Sequence, residues 1–333
     1  MTTTAPDMVS AGGRSPSMVP AADLLADVLP TDRLNARGLV VRPWRDELRR
    51  IPTGRNAVTV AGAVVQTYGV VGAAAVFNTW WSWVAAFVWM GRGHVVLNIL
   101  AHEAAHRLLF PHRLVNDTVG RWLLGHPTLQ PFGVYRRSHF AHHRDELGPH
   151  EPDLSLYGGY PVTRQSWHRK LRRDANGQSA YKLLKALALA ARNGVPDALQ
   201  IIGTQAVLFG VSIAVHRPLA YVVWIGSWAT LWRVSNRLRA IAEHGGMERS
   251  DDRRRTTHVI RQTPIARLCM VPYNTGWHLA HHVDMGVPWR NLPRFHAELV
   301  ESGWVTPGLQ YASYRAFWRA CSAGPTATVT PPA

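Results

Sequence analysis

The chain has 333 residues, 47% of them hydrophobic, which is enough to bury a large core within one integrated domain. Its formal charge of +16 suits nucleic acid, an anionic membrane surface or an acidic protein partner alike, so placement of the charge has to choose among them. Two distant cysteines, Cys269 and Cys321, exclude a disulfide framework, an iron–sulfur site and a cysteine-based zinc site.

The first forty residues are rich in Ala, Pro, Ser, Thr and Gly and lack the charged start and apolar run of a signal peptide. The expected organisation is therefore a disordered tail over 1–40, one domain over 41–322 and a second disordered tail over 323–333. From Ala57 to Phe77 the sequence carries no charge and is long enough to cross a bilayer as a helix. A turn near Asn78 leads to the tryptophan-rich "WWSWVAAFVWM", Trp80 to Met90, and the helical pattern continues through Arg92 and His94. A second hairpin is expected between Pro196 and Trp232, turning at His216-Arg217-Pro218 and continuing into "RVSNRLRAIAEHGG". Between the hairpins, Ser179 to Gly194 has apolar and cationic positions at helical spacing, as in a helix lying on a membrane surface.

The hairpin turns contain only Arg217, whereas Arg42, Arg45, Arg49, Arg50, Arg55 and the arginine-laden segments after both hairpins fall on the opposite side. By the positive-inside rule those segments, and both termini, are cytoplasmic. This placement reads the positive charge as membrane topology, with no nucleic-acid partner, and the mean hydropathy of -0.11 fits two membrane hairpins beneath a polar cap. The expected fold is all-α and integral to the membrane, with four transmembrane helices in two hairpins and a cytoplasmic helical cap.

"NILAHEAAHRLLF", Asn98 to Phe110, admits two chemistries. His102, Glu103 and His106 spell the H-E-x-x-H of a zinc hydrolase, in which Glu103 is the general base. The same residues spell H-x-x-x-H, one of several histidine boxes. "HFAHH" (His139, His142, His143) and "HLAHH" (His278, His281, His282) decide for the second: positions i, i+3 and i+4 share a helix face, so each cluster can aim its imidazoles at a common point. Two such clusters arise together by chance roughly once in a thousand sequences of this histidine content. A mononuclear zinc site needs three protein ligands and would leave most of these imidazoles unused; eight or nine suit two metal ions. Imidazole suits iron, copper, zinc or nickel, so spacing does not name the metal. The isolated histidines, His94, His112, His126, His150, His168, His216, His258 and His296, are expected to be solvated or hydrogen-bonded.

H-x-x-x-H, then H-x-x-H-H, then a distant H-x-x-H-H around two hairpins resembles the membrane fatty acid desaturase and hydroxylase superfamily, over about Ala57 to Ser322. That resemblance implies two iron ions, O2 as co-substrate, and His102, His106, His139, His142, His143, His278, His281 and His282 as ligands, with His244 in "AEHGG" as a ninth. Glu103, Asp153, Glu243 and Asp284 are candidates to orient imidazoles from behind, and Asn274, one helical turn before His278, to reach a metal-bound water or to cap the helix. The implied activity is an O2-dependent acyl-lipid or acyl-thioester desaturase, an oxidoreductase fed with electrons by an external ferredoxin-like carrier and its reductase. Hydroxylation, ketolation or related oxidation at the same site is the alternative, with an intramembrane zinc protease and a non-enzymatic metal-binding protein behind it. The segments Val95 to Leu100 and Leu231 to Ala242 are the expected walls of the substrate path.

Overall fold

The computed structural model describes residues 17–27 and 30–324 and is mostly helical. In chain order its α-helices are α1 (Trp44–Leu48), α2 (Thr53–Phe77), α3 (Trp80–Ala105), α4 (Arg113–Thr118), α5 (Phe132–Arg144), α6 (Leu154–Tyr157), α7 (Arg164–Ala175), α8 (Gln178–Arg192), α9 (Pro196–Ala214), α10 (Leu219–Ser227), α11 (Arg233–His244), α12 (Pro264–Cys269), α13 (His278–Val283), α14 (Leu292–Glu301) and α15 (Tyr314–Cys321). One small parallel sheet pairs β1 (Val259–Ile260) with β2 (Gln310–Tyr311).

The first hairpin forms where the sequence places it. Asn78 closes α2 in the left-handed conformation that asparagine tolerates, and Thr79 opens α3 through a reciprocal capping box with Ser82. In α2 the buried positions Asn56, Val60, Ala63, Thr67 and Ala74 recur at helical spacing, giving one packed stripe, while Val58, Val65 and Val76 face outward and are mostly exposed. α3 starts the same way, with Trp83, Ala86 and Met90 inward, but from Gly93 to Ala105 every residue is buried. That change marks where the helix, packed on one side by α2 and α10, becomes surrounded on all sides.

Three stretches are long and apolar enough to cross a membrane: Trp44–Phe77, Trp80–Ala105 and Pro196–Ala214. The expected fourth crossing takes a different form. Leu219–His244 is helical throughout, but a π-helical segment, Trp228–Trp232, separates α10 from α11 and inserts an extra residue into the register. The turn before it is pinned by Arg217, whose Nε donates to the carbonyl of Ala75 at 2.8 Å, near the C-terminal end of α2 where carbonyls lack partners.

Within the stretch expected as a tail, the described residues Met18, Leu34 and Val40 are buried, Leu34 and Val40 in a cluster with Trp44, Leu279, Phe295 and Leu299. Arg33 adds an ion pair with Glu298 at 2.9 Å. Polar composition hid three spaced apolar anchors. The expectations for residues 1–16 and 325–333 lie outside the described residues.

Candidate metal centre

The first histidine box sits at the end of α3, and the second box, on α5, is held to it. Arg136 of α5 donates to the carbonyls of Ala104 and Ala105, both at 2.9 Å, and pairs with Asp117, while Asn116 donates to Ala104 at 2.8 Å. Side-chain donors, one of them cationic, thus satisfy the last carbonyls of α3, favourable both as hydrogen bonds and with respect to the helix dipole.

The eight boxed histidines and His244 come together, in two groups. His102, His106, His139, His143 and His281 form one; His142, His244, His278 and His282 form the other; within each, one ligand nitrogen per residue lies within 4.8 Å of all the others. Close Nε2–Nε2 separations mark the convergence: 2.8 Å for His106 and His139, 3.1 Å for His143 and His281, and 2.9 Å for His278 and His282. The groups adjoin, with the His143 ring stacked on His282 at 4.3 Å.

The expectation that each H-x-x-H-H aims at one point is corrected. α5 sends His139 and His143, four residues apart, to the first group and His142 to the second; α13 sends His278 and His282 to the second and His281 to the first. The i and i+4 side chains stand one above the other on the helix, while the residue between them points about a third of a turn away and meets the neighbouring group. Burial, reinforced by the neighbouring imidazoles, holds His139, His143, His278, His281 and His282 well below the ordinary histidine pKa. That depression favours the neutral ring, the state a metal ligand requires.

Behind the rings stand acceptors that spacing alone did not single out. His142 Nδ1 donates to Glu151 at 2.8 Å, with the Tyr157 hydroxyl 3.3 Å away. His282 Nδ1 donates to Glu146, which also accepts from Arg253 at 2.7 Å and from the Thr256 hydroxyl. His244 Nδ1 donates to the carbonyl of Thr256 at 2.8 Å. Each contact fixes which ring nitrogen is left to point inward. Burial disfavours the charged form of His142, yet the Glu151 contact outweighs it and raises that pKa. The clue in the sequence was Glu146 and Glu151 following the second box by a few residues.

The expected supporting residues divide. Glu243 lies 3.6 Å from His278 Nδ1 and pairs with Arg239 at 3.1 Å, in reach of the role foreseen. Glu103 approaches His102 Nδ1 only to 3.7 Å and instead accepts from the backbone N–H of Trp289 at 3.4 Å. Asp284 is turned away from the histidines: it holds Arg49 through both oxygens, at 2.8 and 3.0 Å. Asp153 lines a cavity but makes no side-chain hydrogen bond to a histidine among the described residues. Asn274 adopts a left-handed backbone in the loop before α13, whose cap position is Trp277, so the capping role falls away. Of the isolated histidines, His94 bonds to the Trp224 carbonyl at 3.1 Å and His258 to that of Gly245 at 2.7 Å, while His126 is buried with neither ring nitrogen partnered.

A cavity of about 610 Å³ opens onto both groups, touching His102 and His139 of the first and His142, His244 and His278 of the second. Its walls come from α8, through Leu183, Leu184 and Leu187, and from Trp228, Trp232 and α11. Of the two segments expected to wall a substrate path, the one on α11 lines this cavity, whereas of Val95 to Leu100 only Asn98 does, because the others pack into the core around α3.

The sequence model of the family described as fatty acid desaturase matches residues 78–318, most of the chain and every boxed histidine. The chain belongs to the fatty acid desaturase family. Among curated proteins it is similar to a dihydrorhizobitoxine desaturase of Bradyrhizobium elkanii, 25% identical over 260 residues, covering 69% of this chain and 72% of that protein. A buried histidine constellation suited to metal binding is what desaturase membership leads one to expect, and the two groups supply it without any cysteine.

Proposed function

We propose that this desaturase-family protein is an integral membrane oxidase with a di-iron centre, and that it introduces a C=C bond into an acyl chain carried as a lipid or thioester. The observation that carries the reading is the convergence of nine imidazoles, most of them buried, into adjoining groups of five and four. The fit is chemical as well as geometric: the ligand set is imidazole nitrogen throughout, and the rings of His142, His282 and His244 are held from behind by carboxylates and a backbone carbonyl. One iron would be held by His102, His106, His139, His143 and His281, the other by His142, His244, His278 and His282. The metal pair would supply the power to use O2 against an unactivated methylene, which acid–base side chains lack.

The protein's own part is positioning and exclusion of water. A chain lying in the cavity passes between the leucines of α8 and the tryptophans of the π segment and presents its carbons to imidazoles of both groups. In balance, two hydrogens leave adjacent carbons, and with two further electrons and two protons O2 becomes two waters. The two electrons come from a ferredoxin-like carrier and its reductase, drawn electrostatically to exposed basic residues such as Arg42, Arg49 and Arg50. Leu219–Trp232 is proposed as a fourth membrane crossing, with α8 lying along the interface and the metal groups and both termini cytoplasmic; the outward faces of α2 and α9, with Val65, Val76, Val207 and Val211 more than half exposed, fit contact with lipid.

A second reading shares the centre: the curated relative is named for dihydrorhizobitoxine and not for a fatty acid, so oxidation of another small molecule, including hydroxylation, is carried beside the first. Product mass separates the reactions. Desaturation lowers the substrate mass by two hydrogens, whereas hydroxylation adds one oxygen, and mass spectrometry of lipid and small-molecule extracts with and without the protein reads either.

The hydrolase alternative gives Glu103 the decisive role, and it is tested there. With its weak approach to His102, Glu103→Gln should keep bound metal and lower O2-dependent product formation by no more than about tenfold, the low end for an outer partner of a ligand. Abolition of activity by this one change, with Ala replacements at 139, 142 and 143 tolerated, would return the site to water-activating chemistry.

A further inference from the structure

We propose that the substrate carries a free carboxylate and that Arg233 reads it from the wall of the cavity. The inference rests on the oxidase reading above and, for that same site, puts a free acid in place of the lipid- or thioester-bound chain.

Arg92 and Arg233 occupy equivalent places, each where the apolar part of a helix leading to the histidines ends. Arg92 is spent: its guanidinium donates to the carbonyl of Leu268 and to Gln66. On α11, Arg237 is paired with Asp174 and Arg239 with Glu243. Arg233 makes no ion pair and no hydrogen bond among the described residues, its Nε is buried, and Asp174, the acidic group that acts on it, is already paired with Arg237. The rings of Trp228 and Trp232 lie against its guanidinium, with centroids 4.5 and 5.6 Å from Cζ. Such packing leaves N–H donors at the guanidinium edge free to bond. The indole Nε1 of Trp228 in the same wall is also buried without an acceptor. Two neighbouring buried N–H donors, one on a cationic group, suit an anionic acceptor.

The acceptor can come from the cavity, which Arg233 lines together with the histidines. On α11, Arg233, Asn236, Ala240, Glu243 and His244 all border it, so one helix face runs from the guanidinium to the metal group. Arg233 precedes His244 by eleven residues, which is roughly 16 Å along the helix axis. An acid bound at Arg233 would therefore present carbons remote from its carboxylate for reaction. The planar guanidinium edge matches a carboxylate in a two-bond geometry. The cavity volume of about 610 Å³ lies in the range for one small molecule.

The test is equilibrium binding of radiolabelled dodecanoate and of dodecanol to the purified full chain in nanodiscs, with bound iron measured on the same samples. The parent should prefer the acid by about tenfold or more, the usual worth of a hydrogen bond to a charged group. Arg233→Gln should erase that preference while leaving dodecanol binding and bound iron unchanged, and Arg233→Lys should keep part of it. No preference in the parent, or a preference intact in Arg233→Gln, overturns the proposal. Should Arg233→Gln fail to assemble, Arg233→Lys decides: a preference equal to the parent's would overturn the role of the fork. Because the readout is binding, it stands apart from product formation, whose absence would instead count against the oxidase.

Discussion

Purified side by side, the parent should contain about two irons per chain, and His142→Ala and His281→Ala no more than about one each, with product formation down at least about a hundredfold in both. The two positions are chosen because they lie on different box helices and in different groups: His142 belongs to the group of four and His281 to the group of five. Each variant removes one imidazole from its group and leaves the opposite group complete. Loss of an outer partner of a metal ligand already costs about ten- to a hundredfold in affinity or activity, so loss of a ligand should exceed that. Inductively coupled plasma analysis of detergent-purified protein reads the stoichiometry. One zinc per chain, retained in both variants, would contradict the di-iron centre and hand H-E-x-x-H back to hydrolysis.

How the site was legible follows from what local sequence encodes. Helical spacing placed three residues of each H-x-x-H-H on one face, and repetition of that rare pattern was enough to mark imidazole as the ligand type. Spacing within one helix cannot say which neighbouring helix a ring meets, so the division of 139 and 143 from 142, and of 278 and 282 from 281, appears only once α5 and α13 are packed together. His244 was reachable solely through family resemblance, since a single histidine in "AEHGG" has no local signature. Asp284 misled for a related reason. It follows the third box by two residues, but the extended backbone there turns it toward Arg49.

The hairpins were legible because absence of charge over a membrane-length run is a property of the chain itself. The burial of Leu34 and Val40 was not: short apolar spots among Arg, Asn and Gly carry no helical period, and packing against residues of α1, α13 and α14 gives them a place to bury. The cavity shows the same limit. Its leucine wall comes from α8, whose apolar face reads from sequence equally well as a lipid-facing surface, and the tertiary fold turns Leu183, Leu184 and Leu187 toward the histidines.

Glu146 should be the most sensitive non-histidine position. Its side chain is almost wholly buried, beside a fully buried His282, and its two oxygens receive His282 Nδ1, Arg253 and Thr256. It also lies within ligand distance of His143 and His282. The bonds decide its role: with its oxygens already taken by three donors, it orients the ring of His282 so that Nε2 faces His278. Glu146→Ala would leave Arg253 and the His282 N–H without their acceptor, and breaking such a buried pair costs about 3–5 kcal/mol. The expected result is a clearly lower thermal unfolding midpoint in detergent. Glu146→Gln keeps the shape but carries an amide that cannot accept from all three donors. It should fold, bind both irons, and release one of them to a chelator about ten- to a hundredfold more readily than the parent. Stoichiometric loss of an iron in Glu146→Gln would make Glu146 itself a ligand, and an unchanged release rate would show that His282 needs no support from behind.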